Sequence, residues 1–310
     1  MDNRRVAIIG GGSIGVSFAI VFARSGALVT LQEPDAQRRE QIPAEVTNRL
    51  ETLANYELLA EPVPTVSARV SITADLAEAV RDAELVQECI PERLDLKQQL
   101  FTQLAGLTSK DCIVASSTSF LPSSQSSEST GIAERTLVAH PGNPPYALPV
   151  IELVPNPKTR ADVVNRAEEL YTTAGMSPVL VKQEIEGFIF NRIQGAVLRE
   201  AYALVRDGIA SVEDIDTVVR AGLGRRWAFM GPFETADLNT RGGIAAHAEK
   251  MGPAYQRMGR ERGDHTSWDS ELVEKVVRQR RQLLPLDEWE ARVAWRDDRL
   301  LRQIAQNPQN

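Results

Sequence analysis

Arg5-Val6-Ala7-Ile8-Ile9-Gly10-Gly11-Gly12-Ser13-Ile14-Gly15, running on into Val16-Ser17-Phe18-Ala19-Ile20-Val21-Phe22-Ala23, is the stretch whose reading decides the fold. An apolar run of strand length meets a glycine cluster and passes at once into helical spacing, the order a phosphate-cradling βα turn requires. Gly10 permits the tight turn, Gly12 lets the backbone approach a pyrophosphate, and Gly15 lets the helix pack closely on the strand. Ser13 and Ile14 open that helix, whose free N–H groups point toward a bound phosphate. A GxGxxG alone is a weak signal. With a strand before it, a helix after it and an acid downstream, it reads as a dinucleotide site. The acid is Glu33, which closes a second apolar run at 27–33. A carboxylate there hydrogen-bonds the adenosine ribose hydroxyls and repels a 2′-phosphate, so the expected cofactor is NAD rather than NADP. Arg38 and Arg39, just beyond, pull the other way.

Outward from this turn the pattern repeats. Residues 34–69 read as charged helix, and short buried strands recur at 70–73, 85–90, 112–117 and 136–140, with further strand-like runs at 150–154 and 178–182. Strands alternating with helices predict an α/β, Rossmann-type doubly wound, mostly parallel sheet. Near residue 186 the period changes. Phe188, Ile189, Ile193, Val197, Leu198, Ala201, Leu204 and Val205 recur at helical spacing. The later segments 212–221, 242–251, 271–283 and 286–306 are also helical in character. The expected domains are therefore 1–186, binding NAD, and 187–310, an all-α domain for substrate and dimerisation. The helix from 187 is apolar enough to form the core of the second domain, a dimer interface, or both.

The 310 residues carry a formal charge of −7, with 43% hydrophobic and 25% charged residues. That is an ordinary globular composition without the concentrated basic face that nucleic acid or an anionic membrane surface requires. A small-molecule partner is expected. No apolar run approaches the length of a membrane span, and no secretory leader is expected ahead of the first strand. Cys89 and Cys112 lie in apolar runs and read as reduced core residues of a cytoplasmic protein. No metal-ligand cluster stands out, so no metal is expected.

In an open α/β sheet, ligands bind beyond the carboxyl ends of the strands. Three such ends are polar: Glu88 to Glu92, Ser116-Ser117-Thr118-Ser119, and His140-Pro141-Gly142-Asn143. Of the three histidines, His140, His247 and His265, only His140 falls where a nicotinamide ring would lie. A histidine there can act as general base, given a carboxylate to fix its tautomer. Glu152, across a proline-rich turn, could fold back onto it. Spacing alone leaves open a half-buried, merely hydrogen-bonded histidine.

The pattern GGGSIG at 10–15, Glu88-Cys89-Ile90-Pro91-Glu92 with Lys97, Ser119, His140 with Asn143, Glu152, and Gly187-Phe188-Ile189-Phe190-Asn191-Arg192 resembles the 3-hydroxyacyl-CoA dehydrogenase superfamily. AHPGNPPYALPVIELVPNPKT (139–159) and GLGRRWAFMGPFET (222–235) resemble its L-gulonate 3-dehydrogenase and lambda-crystallin branch. The resemblance covers nearly the whole chain. It implies that His140 is the catalytic base and Glu152 its orienting partner. It further implies that Ser119 and Asn191 hydrogen-bond the substrate oxygen, that Asn143 shapes the same site, and that Glu92 and Lys97 lie on the nicotinamide side of the cofactor. The family places an asparagine where Ser117 stands, so the contact at that position departs from its pattern.

The resemblance also bears on substrate. CoA-using relatives carry a lysine-rich helical hairpin after the second strand, whereas residues 34–69 hold four arginines against six acids and no lysine. A free 3-hydroxy acid, L-gulonate-like, is expected, with a 3-hydroxyacyl-CoA or carnitine as the alternative and a crystallin-like structural role as a further one. In the segment containing Arg225 and Arg226, a planar guanidinium suits bidentate capture of a carboxylate, and Arg226 is the expected clamp. A surface or interface arginine is the competing reading.

Overall fold

In the computed structural model, the described residues are 1, 4–241, 243–263, 270–271, 274, 277–278, 282 and 285–306. They divide by packing into two units, Met1–Arg192 with Arg296–Pro308, and Ile193–Trp295 with Gln309–Asn310. The sequence boundary at 186 thus lies six residues before the boundary by packing, and the C-terminal stretch returns to the first unit. Leu301 is fully buried there, Tyr56 donates its hydroxyl to Asp298, and the Arg302 guanidinium lies over the Tyr56 ring.

The first unit holds eight strands in one sheet. They are β1 (Arg5–Ile9), β2 (Leu28–Gln32), β3 (Val70–Thr73), β4 (Leu85–Glu88), β5 (Ile113–Ser116), β6 (Thr136–Pro141), β7 (Val150–Pro155) and β8 (Ser177–Leu180). Their spatial order is β3-β2-β1-β4-β5-β6-β7-β8. The first six pair in parallel, β7 runs antiparallel to β6, and β8 is parallel to β7. The order reverses between β1 and β4, the switch point where a doubly wound sheet opens a crevice for its ligand.

Helices cover both faces, and β1, β4 and β5 are accordingly buried on both sides along nearly all their length. On one face α1 (Ser13–Arg24), α2 (Ala36–Asn55) and α3 (Val63–Ser67) pack with later residues Val163 to Tyr171 in the larger core cluster. On the other, α4 (Leu76–Val80) and α5 (Leu94–Leu107) bury Ala79, Val80, Phe101 and Leu104. The short α6 (Ser123–Ser127) and the amphipathic α7 (Ala161–Thr173) complete the unit.

The second unit is helical throughout its described elements, as expected. Apolar spacing predicts a helix from 187. Instead Gly187 and Phe188 both adopt left-handed backbone, φ 75° and 51°, and α8 runs Phe190–Arg206. Phe188 turns inward, fully buried against Val138, Val154 and Val181, which mimics helical periodicity in the sequence without being helix. α9 (Val212–Val218), α10 (Gly224–Trp227), α11 (Pro232–Asn239) and α12 (Gly243–Arg262) follow. α13 (Trp289–Gln306) closes the described chain. The helix expected at 271–283 and His265 lie largely or wholly outside the described residues. α8 buries only Ala203 and Val205, while Ile193 is 52% exposed and Val197 and Leu198 are also exposed.

Candidate active site

The glycine turn is built as its sequence demands. Gly10 sits at φ 104°, and a Cβ there would lie 2.7 Å from the Cys89 carbonyl oxygen at the end of β4. A Cβ on Gly15 would stand 1.9 Å from the Gly10 carbonyl oxygen, so neither position admits a side chain. Around Gly12 the space is open. Gly12 is also the N-cap of α1 and offers no side-chain cap, which leaves the first N–H groups of the helix, at Ser13 and Ile14, directed outward. An uncapped helix end behind a bare glycine is a cradle that a Cβ would fill, and its residues fit the pyrophosphate of a dinucleotide. Glu33 stands beside it, with Oε2 accepting from the Gly11 N–H at 2.8 Å and Oε1 from the Asp35 N–H at 2.9 Å.

At the carboxyl ends of β5 and β6 a second cluster forms. Antiparallel pairing of β6 with β7 sets His140 opposite Glu152. The imidazole Nδ1 and Glu152 Oε2 are 2.8 Å apart, and both side chains are buried, at 6% and 2% exposure by residue. A carboxylate only accepts, so Nδ1 carries the proton and Nε2 keeps its lone pair in the neutral ring. The other carboxylate oxygen, Oε1, accepts the N–H groups of Ile189 at 2.7 Å and Phe190 at 2.9 Å. Those donors exist because the left-handed Gly187–Phe188 turn presents the start of α8 to Glu152. Phe188 and Phe190 flank the imidazole, with ring centroids 5.6 and 6.2 Å away.

Asn191 follows immediately and donates Nδ2 to the Ser119 carbonyl at 3.1 Å. His140, Glu152, Asn191 and Ser119 thus form one connected cluster. It contains a proton acceptor at Nε2 and polar groups able to hold an oxygen. Asn143 is exposed in the β6–β7 turn and makes no hydrogen bond to these groups among the described residues. Ser117 donates its hydroxyl to the Glu88 carbonyl at 2.7 Å.

Below lies a buried ion pair that spacing did not reveal. Lys97 Nζ donates to both oxygens of Glu88, at 2.8 and 2.9 Å, and the two side chains are 1% and 0% exposed. Lys97 also lies 3.4 Å from Glu92. Glu92 in turn accepts the Thr118 hydroxyl and the N–H groups of Ser119 at 3.2 Å and Phe120 at 3.3 Å. Burial alone would raise the Glu92 carboxyl, but the Thr118 hydroxyl, the Lys97 ammonium and the Phe120 N–H outweigh it and hold the group below the usual range. The Lys97 ammonium is enclosed, with Glu88 and Glu92 as its partners. The signal available in the sequence was an acid at the end of β4 with a lysine nine positions on, on the following helix.

Arg226 belongs to the second unit, where its guanidinium donates to Asn239 Oδ1 at 3.3 Å and ties α10 to α11. Arg225 is exposed. His247 is in the same unit, 3.0 Å from the Thr240 hydroxyl. Cys89 and Cys112 are free thiols, pushed up by burial to about 12 and about 11. Among the described residues no group of acidic, His or Cys side chains could hold a metal, and no helix is long and apolar enough to cross a membrane.

A glycine turn at the switch point, an acid at the end of β2 and a buried His–Glu pair at the end of β6 define an NAD-dependent oxidoreductase. The chain belongs to the 3-hydroxyacyl-CoA dehydrogenase family: the NAD binding domain of that family matches residues 5–185 and its C-terminal domain residues 187–282. The chain is 40% identical over 306 residues to a lambda-crystallin homolog of Bos taurus, covering 96% of this chain and 94% of the relative. It is 39% identical over 254 residues to an L-carnitine dehydrogenase of Streptomyces coelicolor, covering 82% and 79%. Among solved structures it is similar to an NAD⁺-dependent 5-formyl-3-hydroxy-2-methylpyridine 4-carboxylic acid 5-dehydrogenase, with a TM-score of 0.80 and 28% identity over 98% of this chain and 99% of that one.

Proposed function

We propose that the protein oxidises the 3-hydroxyl of a small free 3-hydroxy acid, L-gulonate-like, with His140 as general base. The observation that carries this reading is the His140–Glu152 pair, whose second carboxylate oxygen is held by the N–H groups that lead into Asn191. Nε2 takes the hydroxyl proton as the carbon–oxygen double bond forms, and Glu152 stabilises the imidazolium that results. NAD⁺, when bound, supplies the hydride acceptor. The Ser119 hydroxyl and the Asn191 amide hold the substrate oxygen, and Asn143 borders the same site. Positioning of this kind supplies much of the acceleration in such reactions. Phe188 and Phe190 keep water from the base. Glu92, supported by Lys97, sets the loop that carries Ser119.

Against a CoA substrate stands the segment 34–69. Arg38 is engaged by Glu45, Arg39 by the carbonyls of Glu33 and Pro34, Arg49 by Ser13 and Ser17, and Arg69 by Glu61. Such pairing leaves this region poorly suited to the several phosphate charges of coenzyme A. The 39% identity to an L-carnitine dehydrogenase supports a second free hydroxy acid, carnitine, as the competing substrate. Arg226 is assigned the carboxylate. In a panel of L-gulonate, L-carnitine, 3-hydroxybutyrate and 3-hydroxybutyryl-CoA, a free acid is expected to give the highest kcat/KM, and Arg226→Ala to raise its KM by about tenfold or more. Efficient turnover of the CoA thioester, with Arg226→Ala leaving KM for every free acid unchanged, rejects this assignment. The free thiols of Cys89 and Cys112 fit a reducing compartment such as the cytoplasm.

The helical unit also suits self-association. Ile193, Val197, Leu198, Ile209, Phe229 and Phe233 are exposed, Phe233 at 82%, and covering such side chains would favour association. A homodimer through this unit is expected, with a light-scattering mass twice the chain's 34.2 kDa. A monomeric mass at micromolar protein excludes it.

A further inference from the structure

The cofactor corner holds more cation than an NAD site needs. Gly11 is gripped from two sides: its N–H donates to Glu33 Oε2 at 2.8 Å, and its carbonyl accepts Arg38 Nε at 2.7 Å. Arg38 therefore stands beside the carboxylate that meets the adenosine ribose. An arginine at this corner is what a dinucleotide fold uses to receive a 2′-phosphate. Here its outer nitrogen is taken by Glu45 Oε2 at 2.5 Å, and the other Glu45 oxygen holds Arg49. Arg49 in turn donates to the Ser13 carbonyl at 3.1 Å and the Ser17 hydroxyl at 2.7 Å, on the first turn of α1. Arg39 is occupied by the backbone carbonyls of Glu33 and Pro34, at 2.8 and 2.7 Å. One carboxylate on α2 thus ties down two guanidinium groups that border the glycine turn.

We propose that Glu45 is a cofactor-specificity residue, which neutralises Arg38 and Arg49 and keeps them from a 2′-phosphate, so that the preference for NAD rests on two carboxylates rather than on Glu33 alone. The partial burial of the network supports a role beyond surface decoration: Arg38, Glu45 and Arg49 side chains are 27%, 25% and 20% exposed. A fully exposed pair would be too weakly coupled to hold a guanidinium away from a phosphate. A charge-assisted, bidentate contact to phosphate is the interaction that Arg38 would make once released.

The test is a fluorescence titration of NADH and NADPH against wild type, Glu45→Gln, Glu33→Ser and the double variant, with folding followed by circular dichroism and urea midpoint. Glu45→Gln is expected to shift the affinity ratio toward NADPH by about tenfold, and the double variant by more than either single change. Glu45→Asp, which keeps the charge, should retain the wild-type ratio. Adding Arg38→Met and Arg49→Met to Glu45→Gln should abolish the gain. A folded Glu45→Gln protein with an unmoved NADPH-to-NADH ratio overturns the proposal, as does a gain that survives the loss of both arginines. Substrate turnover does not enter these titrations, so a failure here is distinct from a failure of the free-acid assignment.

Discussion

In the His140→Gln enzyme, kcat for hydroxyl oxidation is expected to fall by about 10²–10⁴-fold, the usual worth of a positioned base, while NADH affinity measured by fluorescence stays near wild type. Glutamine fills a similar volume and can still bond Glu152, so the loss reads the missing Nε2 lone pair rather than a collapsed site. Glu152→Gln should lose activity on a similar scale for a different reason. An amide nitrogen directed at His140 Nδ1 would favour the wrong tautomer. The amide must also keep an oxygen toward Ile189 and Phe190, whose N–H groups now share Oε1. Steady-state kinetics with substrate and NAD⁺ both saturating separate kcat from KM in these variants. Turnover within tenfold of wild type in His140→Gln would remove His140 from the role of base.

The glycine turn and the strands were legible because their signals are local. Gly15 is sterically required by the Gly10 carbonyl five residues before it, Gly10 takes a left-handed φ of 104°, and each strand is a short stretch with apolar residues at its centre. The His140–Glu152 contact was only a possibility in the sequence, because it depends on register. Pairing of His140 with Glu152 follows from the number of residues that the 142–149 turn absorbs, and nothing local sets that number. Phe188 and Ile189 misled in the opposite sense: their spacing extends the helical period of α8, yet Phe188 is turned inward by left-handed backbone. Glu88 and Lys97 lie on different elements, a strand end and a helix, and only the packing of α5 on the sheet brings them together. The return of Leu301 to the first unit had no signal in an amphipathic, salt-bridged helix that could dock anywhere. Hydrophobic pattern shows which face is buried and not what buries it.

That buried pair yields the largest stability effect expected in the protein. Lys97→Met should lower unfolding free energy by about 3–5 kcal/mol, the cost of leaving a buried charge without its counterion. Glu88 would keep only the Ser116 hydroxyl and the Ile90 N–H as partners for a fully enclosed carboxylate. Replacing both members, Glu88→Gln with Lys97→Met, should recover most of that loss, because no ion is left in the interior and a neutral pair of similar volume fills the space. The comparison, made by urea unfolding, keeps the prediction decisive even if the single variant folds poorly. A further consequence is carried by Glu92. Its carboxyl is held low, so its favourable contribution is present above the usual carboxylate range and is lost as pH falls through the lowered value. In either variant lacking the lysine, that loss should begin at higher pH, since one of the groups holding the carboxyl down is gone. A single variant within about 1 kcal/mol of wild type would mean that Glu88 is either protonated or hydrated where the structure encloses it. The loop presenting Ser119 would then rest on Thr118 and backbone contacts alone, and the ion pair would have no part in shaping the site.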